Sequence, residues 1–123
     1  MPVTVLAVDD NDVNLNILTL LLEDEFNVVT ARDGAETLVQ ADAHEPALIL
    51  LDVNLPDIDG FEVCRRLRQN PRHENRKIVF VSAKALSSER QAGFDAGGDD
   101  YVTKPFNHDE LLAKVRSYVQ ETA

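Results

Sequence analysis

The chain has 123 residues, 44% of them hydrophobic and 28% charged, a length that suits one compact domain and is too short for two ordinary ones. Lys and Arg total 12 against 22 Asp and Glu, and the resulting formal charge of −10 argues against a direct nucleic-acid surface or a polybasic membrane anchor. Cys64 is the only cysteine, so there is no intramolecular disulfide framework, and no Cys/His cluster offers ligands for structural zinc. The N-terminus lacks the basic region and apolar core of a signal peptide, and the longest apolar run, 47–51, is far too short to span a bilayer. A soluble, unprocessed, cytoplasmic chain is expected.

Short apolar runs alternate with longer segments of helical period. Residues 3–8 read as a strand, and Leu15, Leu18 and Leu22 with Ile17 and Leu21 supply the apolar stripe of a following helix. A second short strand is expected at 26–30. Asp33-Gly34 then opens a helix through Ala43, with Ala35, Leu38 and Val39 facing inward. Residues 47–51 are apolar at every position, the mark of a strand covered on both faces. Residues 60–68 read as a helix with Phe61, Cys64 and Leu67 on one side, stopped by Asn70-Pro71. A fourth strand falls at 78–81. Ser87 or Ser88 caps a helix reaching Ala96, Gly97-Gly98 ends it, and Tyr101-Val102 forms a brief fifth strand. Asn107 or Asp109 starts a last helix carrying Leu111, Leu112, Val115 and Val119 at helical spacing. Five β–α units in series predict an α/β fold, a parallel sheet with helices on both faces.

The strand ends carry the reactive side chains. Strand one finishes at Asp9-Asp10, strand three at Asp52, strand four at Ser82, and strand five is followed by Lys104-Pro105. In an open α/β sheet, ligands bind at the carboxyl ends, in the crevice where the strand order reverses. Three carboxylates converging there repel one another unless something neutralises them. With no His or Cys among them, the hard oxygen donors of Asp9, Asp10 and Asp52 suit a divalent cation such as Mg2+, and Lys104 offers a second positive charge. Asp52 is then a candidate nucleophile toward phosphorus, with metal and lysine neutralising charge.

Four stretches, VDDNDVN at 8–14, LILLDVNLPDIDG at 48–60, FVSAK at 80–84 and AGGDDYVTKPF at 96–106, make the chain resemble the response-regulator receiver domains of two-component signalling. They span essentially the whole chain in the family's order and spacing. The resemblance implies one receiver domain over residues 1–123, with a flavodoxin-like (βα)5 fold and a sheet of order 2-1-3-4-5. It implies that Asp52 is the phosphoacceptor, Asp10 a direct Mg2+ ligand, Asp9 a ligand through a metal-bound water, and the Asn54 backbone carbonyl the last protein ligand. Ser82 matches the hydroxyl that turns toward the phosphoryl group. Lys104 matches the phosphoryl-binding lysine, with a cis peptide before Pro105. Tyr101 fits the switch aromatic, which goes from exposed to buried when Ser82 moves. Asn54 and Lys84 match positions flanking the hydrolytic water. Leu55 and Gly98 depart from the common Met and Ala without touching the chemistry.

The function implied by the resemblance is a phosphorylation-operated switch rather than a turnover enzyme. It would take a phosphoryl group from a phosphohistidine of a sensor kinase or a histidine phosphotransfer protein, and change a surface of helix four, strand five and helix five, roughly 88–119. A phosphorylation-dependent homodimer and a C-terminal effector or kinase domain in a longer parent are both compatible with it. No direct nucleic-acid or membrane contact is expected. A docking module that never accepts phosphate is the first alternative, against which the intact acid, hydroxyl and lysine set speaks. A phosphatase of the haloacid dehalogenase type needs a second Asp two residues after the nucleophile, where this chain has Asn54. A flavodoxin-like nucleotide binder needs a glycine- or hydroxyl-rich loop where Asp9-Asp10 stands. Taken alone, Asp9-Asp10 reads as a helix cap, Ser82 as a backbone partner and Lys104 as a surface lysine. His44, His73 and His108 are expected to be solvated and without a role, and Cys64 to pack in the core.

Overall fold

A computed structural model describes residues 2–84 and 86–121; Met1, Ala85, Thr122 and Ala123 lie outside the described residues. Strands and helices alternate in the order β1 (Thr4–Val8), α1 (Asp12–Leu22), β2 (Asn27–Ala31), α2 (Gly34–His44), β3 (Leu48–Leu51), α3 (Gly60–Gln69), β4 (Lys77–Ser82), α4 (Ser87–Asp95), β5 (Asp100–Thr103) and α5 (His108–Glu121). All neighbouring strands run parallel in the order β2-β1-β3-β4-β5, which is the topology the resemblance implies.

The alternation of side chains along each strand divides the core into two layers. Leu6, Val8, Ile49, Leu51, Ile78 and Phe80 point to the side covered by α2, α3 and α4, where Ala41, Val63, Cys64 and Leu67 meet them. Val5, Ala7, Leu48, Leu50, Val79 and Val81 point to the side of α1 and α5, against Leu15, Leu18, Leu22, Leu111, Val115 and Val119. Every residue of β3 is buried, as a strand covered on both faces requires.

Four helices begin on a side-chain cap. The amide oxygens of Asn11 and Asn107 and the carboxylates of Asp33 and Asp59 accept the N–H three residues on, at 2.7–3.1 Å. Helix α4 differs from the sequence expectation. Neither Ser87 nor Ser88 caps it; Leu86 occupies the cap position, and the Glu89 carboxylate accepts the Leu86 N–H at 3.1 Å. Of the nine residues of α4, Gly93 alone is buried. At the far end Gly97 has φ +107°, a left-handed conformation that terminates the helix.

Three further expectations need correction. The inward face of α2 is Gly34, Thr37 and Ala41 with Leu38 half-buried, whereas Ala35 is exposed and Val39 is 64% exposed. The helix lies close to β2 and β1 on its small residues, which turns the larger Val39 outward. Ile17 stands on the rim of the α1 stripe and is exposed. His73 is buried, not solvated: Nε2 lies 2.6 Å from an Asp42 carboxylate oxygen, and Nδ1 accepts the Arg76 Nε–H at 3.4 Å.

The segment joining β3 to α3 is tied sideways to α2, where the Asp57 carboxylate accepts the N–H groups of Gly34 and Ala35 at 2.7 and 2.8 Å. Those two bonds hold its carboxyl at about 2, below the ordinary 3.8.

Phe80 is fully buried and touches the rings of Phe61 and Tyr101. Phe80→Ala is expected to cost about 3–5 kcal/mol in urea unfolding, and Val39→Gln less than about 0.5 kcal/mol. A depressed folded-state carboxyl stabilises above the unfolded value and loses that contribution as the proton binds. Stability should therefore fall as pH drops from about 4 toward 2, less steeply in Asp57→Asn, when followed by circular dichroism.

Candidate functional site

The polar residues that the strands deliver to their carboxyl ends are fixed by the main chain. Asp9, directly after β1, donates its N–H to the Ala31 carbonyl at 3.1 Å, and Asp52, directly after β3, donates to the Val8 carbonyl at 3.1 Å. Lys104, after β5, donates to the Ser82 carbonyl at 2.9 Å. The parallel ladders thus continue one residue beyond the strands and set three Cα positions around one crevice. That crevice lies where the sheet order reverses, between β1 and β3.

The side chains converge there. Lys104 Nζ donates to Asp9 Oδ2 at 2.5 Å and to Asp52 Oδ2 at 3.2 Å. Asp9 and Asp52 are 1% and 5% exposed, so their charges depend on this pairing rather than on water. Each carboxylate has a second donor. Asn11 N–H bonds Asp9 Oδ1 at 3.0 Å, and Asn54 N–H bonds Asp52 Oδ1 at 3.2 Å. Asp10 is exposed at the mouth, and one oxygen from each of Asp9, Asp10 and Asp52 lies within 4.8 Å of the others. Among the described residues, no buried side-chain nitrogen or oxygen lacks a partner.

Burial pushes the Asp52 carboxyl up. The charge of Lys104 pulls it back, but the like charge of Asp9 adds to the rise. For Lys104, burial works against the ammonium, but the hydrogen bond to Asp9 and the charge of Asp52 outweigh it and hold the group above its ordinary value.

Ser82, the last residue of β4, is fully buried, and its Oγ accepts the Lys84 N–H at 3.2 Å. Tyr101 in β5 is buried as well, and its hydroxyl donates to the Lys84 carbonyl at 2.7 Å, with the Arg90 guanidinium 5.7 Å from its ring centroid. The structure therefore brings Asp9, Asp10, Asp52 and Lys104 into one cluster, while Ser82 and Tyr101 meet at the main chain of Lys84. Asn54 is exposed beside Asp52, and the Lys104–Pro105 peptide is cis.

Two main-chain contributions went unread in the sequence, where Lys84 was given only a place flanking the hydrolytic water. The main chain of Lys84 joins Ser82 to Tyr101, and a backbone carbonyl leaves no trace in residue identity. Gly60 was read only as the start of a helix. A Cβ there would lie 2.2 Å from the Asp52 carbonyl oxygen, so the α3 N-terminus can lie this close to the Asp52 main chain only because residue 60 is glycine. The Asp59-Gly60 pair was the available signal.

The cluster fits a hard divalent cation: three carboxylates, two of them buried, with no nitrogen or sulfur donor in the group. Lys104→Met should raise the Asp52 carboxyl further, because the charge that pulls it down is gone. Carbon-13 carboxyl titration reads this, and an unchanged Asp52 would count against the pairing.

The family model for the response regulator receiver domain matches residues 5–116. The transcriptional regulatory protein TcrX of Mycobacterium tuberculosis is 40% identical over 123 residues, covering 98% of this chain and 51% of TcrX. The response regulator ArlR of Staphylococcus aureus is 38% identical over 117 residues, covering 94% of this chain and 52% of ArlR. The chain thus spans about half the length of these curated relatives. Among solved structures, the BeF3-activated receiver domain of DrrB, a Thermotoga maritima protein, has a TM-score of 0.90 at 32% identity, covering 98% of this chain and 99% of that one. The chemotaxis response regulator CheY4 of Vibrio cholerae has a TM-score of 0.90 at 29% identity, covering 96% and 99%.

Proposed function

The chain belongs to the response-regulator receiver domain family, and from that premise we propose that it is a switch phosphorylated on Asp52 by a phosphohistidine donor. The observation that carries this reading is the convergence of Asp9, Asp10, Asp52 and Lys104 at one strand-end crevice. The donor is a sensor histidine kinase or a histidine phosphotransfer protein, since relatives of this kind are response regulators.

Asp52 supplies the nucleophilic oxygen. Its attack on phosphorus breaks the P–N bond of the phosphohistidine and leaves the imidazole on the donor. Lys104, already 3.2 Å from Asp52 Oδ2, is within reach of an oxygen of the incoming group, and the Asn54 N–H on Oδ1 orients the carboxylate. Asp9, Asp10, Asp52 and the Asn54 backbone carbonyl would hold Mg2+, which when bound supplies positive charge against the carboxylates and the anionic phosphoryl oxygens. Burial of Asp9 and Asp52 keeps water from competing with these contacts.

The product carries roughly −1.5 to −2 charges and new acceptor oxygens where Asp52 carried one charge. Ser82 offers the hydroxyl that turns toward them. Because Ser82 Oγ and the Tyr101 hydroxyl share the Lys84 main chain, a shift of one disturbs the other. In this reading the change spreads to α4, β5 and α5, the surface read by an effector domain of a longer parent or by a second copy. Asn54 in place of a second Asp tells against a phosphatase acting on external esters.

The test is intact-mass analysis after incubation with acetyl phosphate. One phosphoryl adduct is expected on the wild type with magnesium, and none without magnesium or in Asp52→Ala. Magnesium should also raise the melting temperature of the wild type and much less that of Asp10→Ala. A folded, magnesium-binding protein that takes no adduct would favour the docking-module reading.

A further inference from the structure

We propose that Asp57 is a positioning residue for the crevice: by fastening the 53–59 segment to the N-terminus of α2, it fixes the Asn54 main chain and, through it, the Asp52 carboxylate. The proposal rests on the reading of Asp52 as the phosphoacceptor and names a residue outside the acid, hydroxyl and lysine set.

An α-helix begins with N–H groups that have no partner of its own. In α2 the local cap, Asp33, provides for one of them, accepting the Glu36 N–H at 2.7 Å. The first two, on Gly34 and Ala35, are met from 22 to 23 residues away by the two oxygens of Asp57, at 2.7 and 2.8 Å. The helix thus has two carboxylates at one end that serve different purposes. Asp33 serves the helix entry, its carboxylate accepting from Glu36 and its carbonyl from Thr37. Asp57 belongs to the segment that leaves Asp52, so its bonds span two parts of the fold.

The 53–59 segment has no regular structure, and its other holds lie elsewhere along it. Gly60 N–H donates to the Val53 carbonyl at 2.8 Å, closing the segment at its base. Leu55 and Ile58 pack half-buried against the core, and Ile58 lies so near Gly34 that a Cβ there would come within 2.3 Å of it. Asp57 is exposed on this turn, three residues from Asn54. Its exposed carboxylate nonetheless stays well below the ordinary range, because both oxygens take main-chain N–H groups at the positive end of a helix. Loss of the clasp leaves the segment held by its base, by the Asp59 cap of α3 and by the side chains of Val53, Leu55 and Ile58, with the Asn54 N–H on Asp52 Oδ1, at 3.2 Å, the contact expected to loosen.

The experiment compares Asp57→Ala and Asp57→Asn with Asp33→Ala, which removes a cap from the same helix without touching the 53–59 segment. The Gly34, Ala35 and Asn54 amide resonances, the magnesium concentration for half-saturation, the melting temperature and the acetyl phosphate rate are followed in each. In Asp57→Ala the Asn54 amide should move and half-saturation should rise about threefold or more, short of the roughly 10–100-fold that follows loss of a partner bonded directly to a metal ligand. Asp57→Asn, which keeps one acceptor oxygen, should fall between. Asp33→Ala should lower the melting temperature while its Asn54 amide and magnesium titration stay at wild-type values. The proposal is overturned if both Asp57 variants leave the Asn54 amide and the magnesium titration unchanged, or if Asp33→Ala changes them equally. Should Asp57→Ala fail to fold, Asp57→Asn decides. A wild type that takes no phosphoryl group defeats the phosphoacceptor reading instead, and the Asn54 amide still decides the role of Asp57.

Discussion

Burying like charges is the constraint around which this molecule is arranged. Asp9 and Asp52 are removed from water within reach of one another, and the ammonium of Lys104 is the group that touches both. In a medium of low polarisability an unpaired carboxylate costs several kcal/mol, so each of the three depends on the other two being in place. That dependence reaches into the backbone. Each of the three follows a different strand, and only a parallel sheet whose order reverses between β1 and β3 brings those ends to one crevice. The two apolar layers then have a purpose beyond stability, because they fix the strand register on which the charge pairing rests.

Much of this was legible in the chain, for physical reasons. Period-two alternation cannot be seen in a strand buried on both faces, but an unbroken apolar run such as Leu48–Leu51 can, and it identifies the centre of the sheet. Acids immediately after such runs stand out because their position has no packing rationale. On one corrected element small residues decide. On α2 the hydrophobicity of Ala35 and Val39 suggested an inward face, yet the close approach of helix to sheet selects Gly34, Thr37 and Ala41. On α4 a serine was expected to cap, whereas a glutamate three residues into the helix serves the N-terminus. His73 is a further case: nothing local in its sequence signals burial, because its partner Asp42 is 31 positions away.

Main-chain groups account for the rest. The carbonyl of Lys84 accepts from the Tyr101 hydroxyl, and the N–H groups of Gly34 and Ala35 donate to Asp57. These atoms are common to every residue, so their roles emerge only once the fold places them. The site is accordingly a mixture of side chains that the sequence advertises and main-chain positions that it does not.

The slight burial of α4 sets an energy scale. A helix that sinks one glycine into the core, beside the ring of Phe80, gives up little apolar contact when it shifts. Moving a two-state equilibrium from 1:99 to 99:1 takes about 5.5 kcal/mol of differential interaction. A deeply seated helix would swallow that amount without responding. Under the proposed reading, one resting on Gly93 would give up less apolar contact on shifting than a helix seated on several large side chains, so the thinness of its packing would suit it to respond to one added charge.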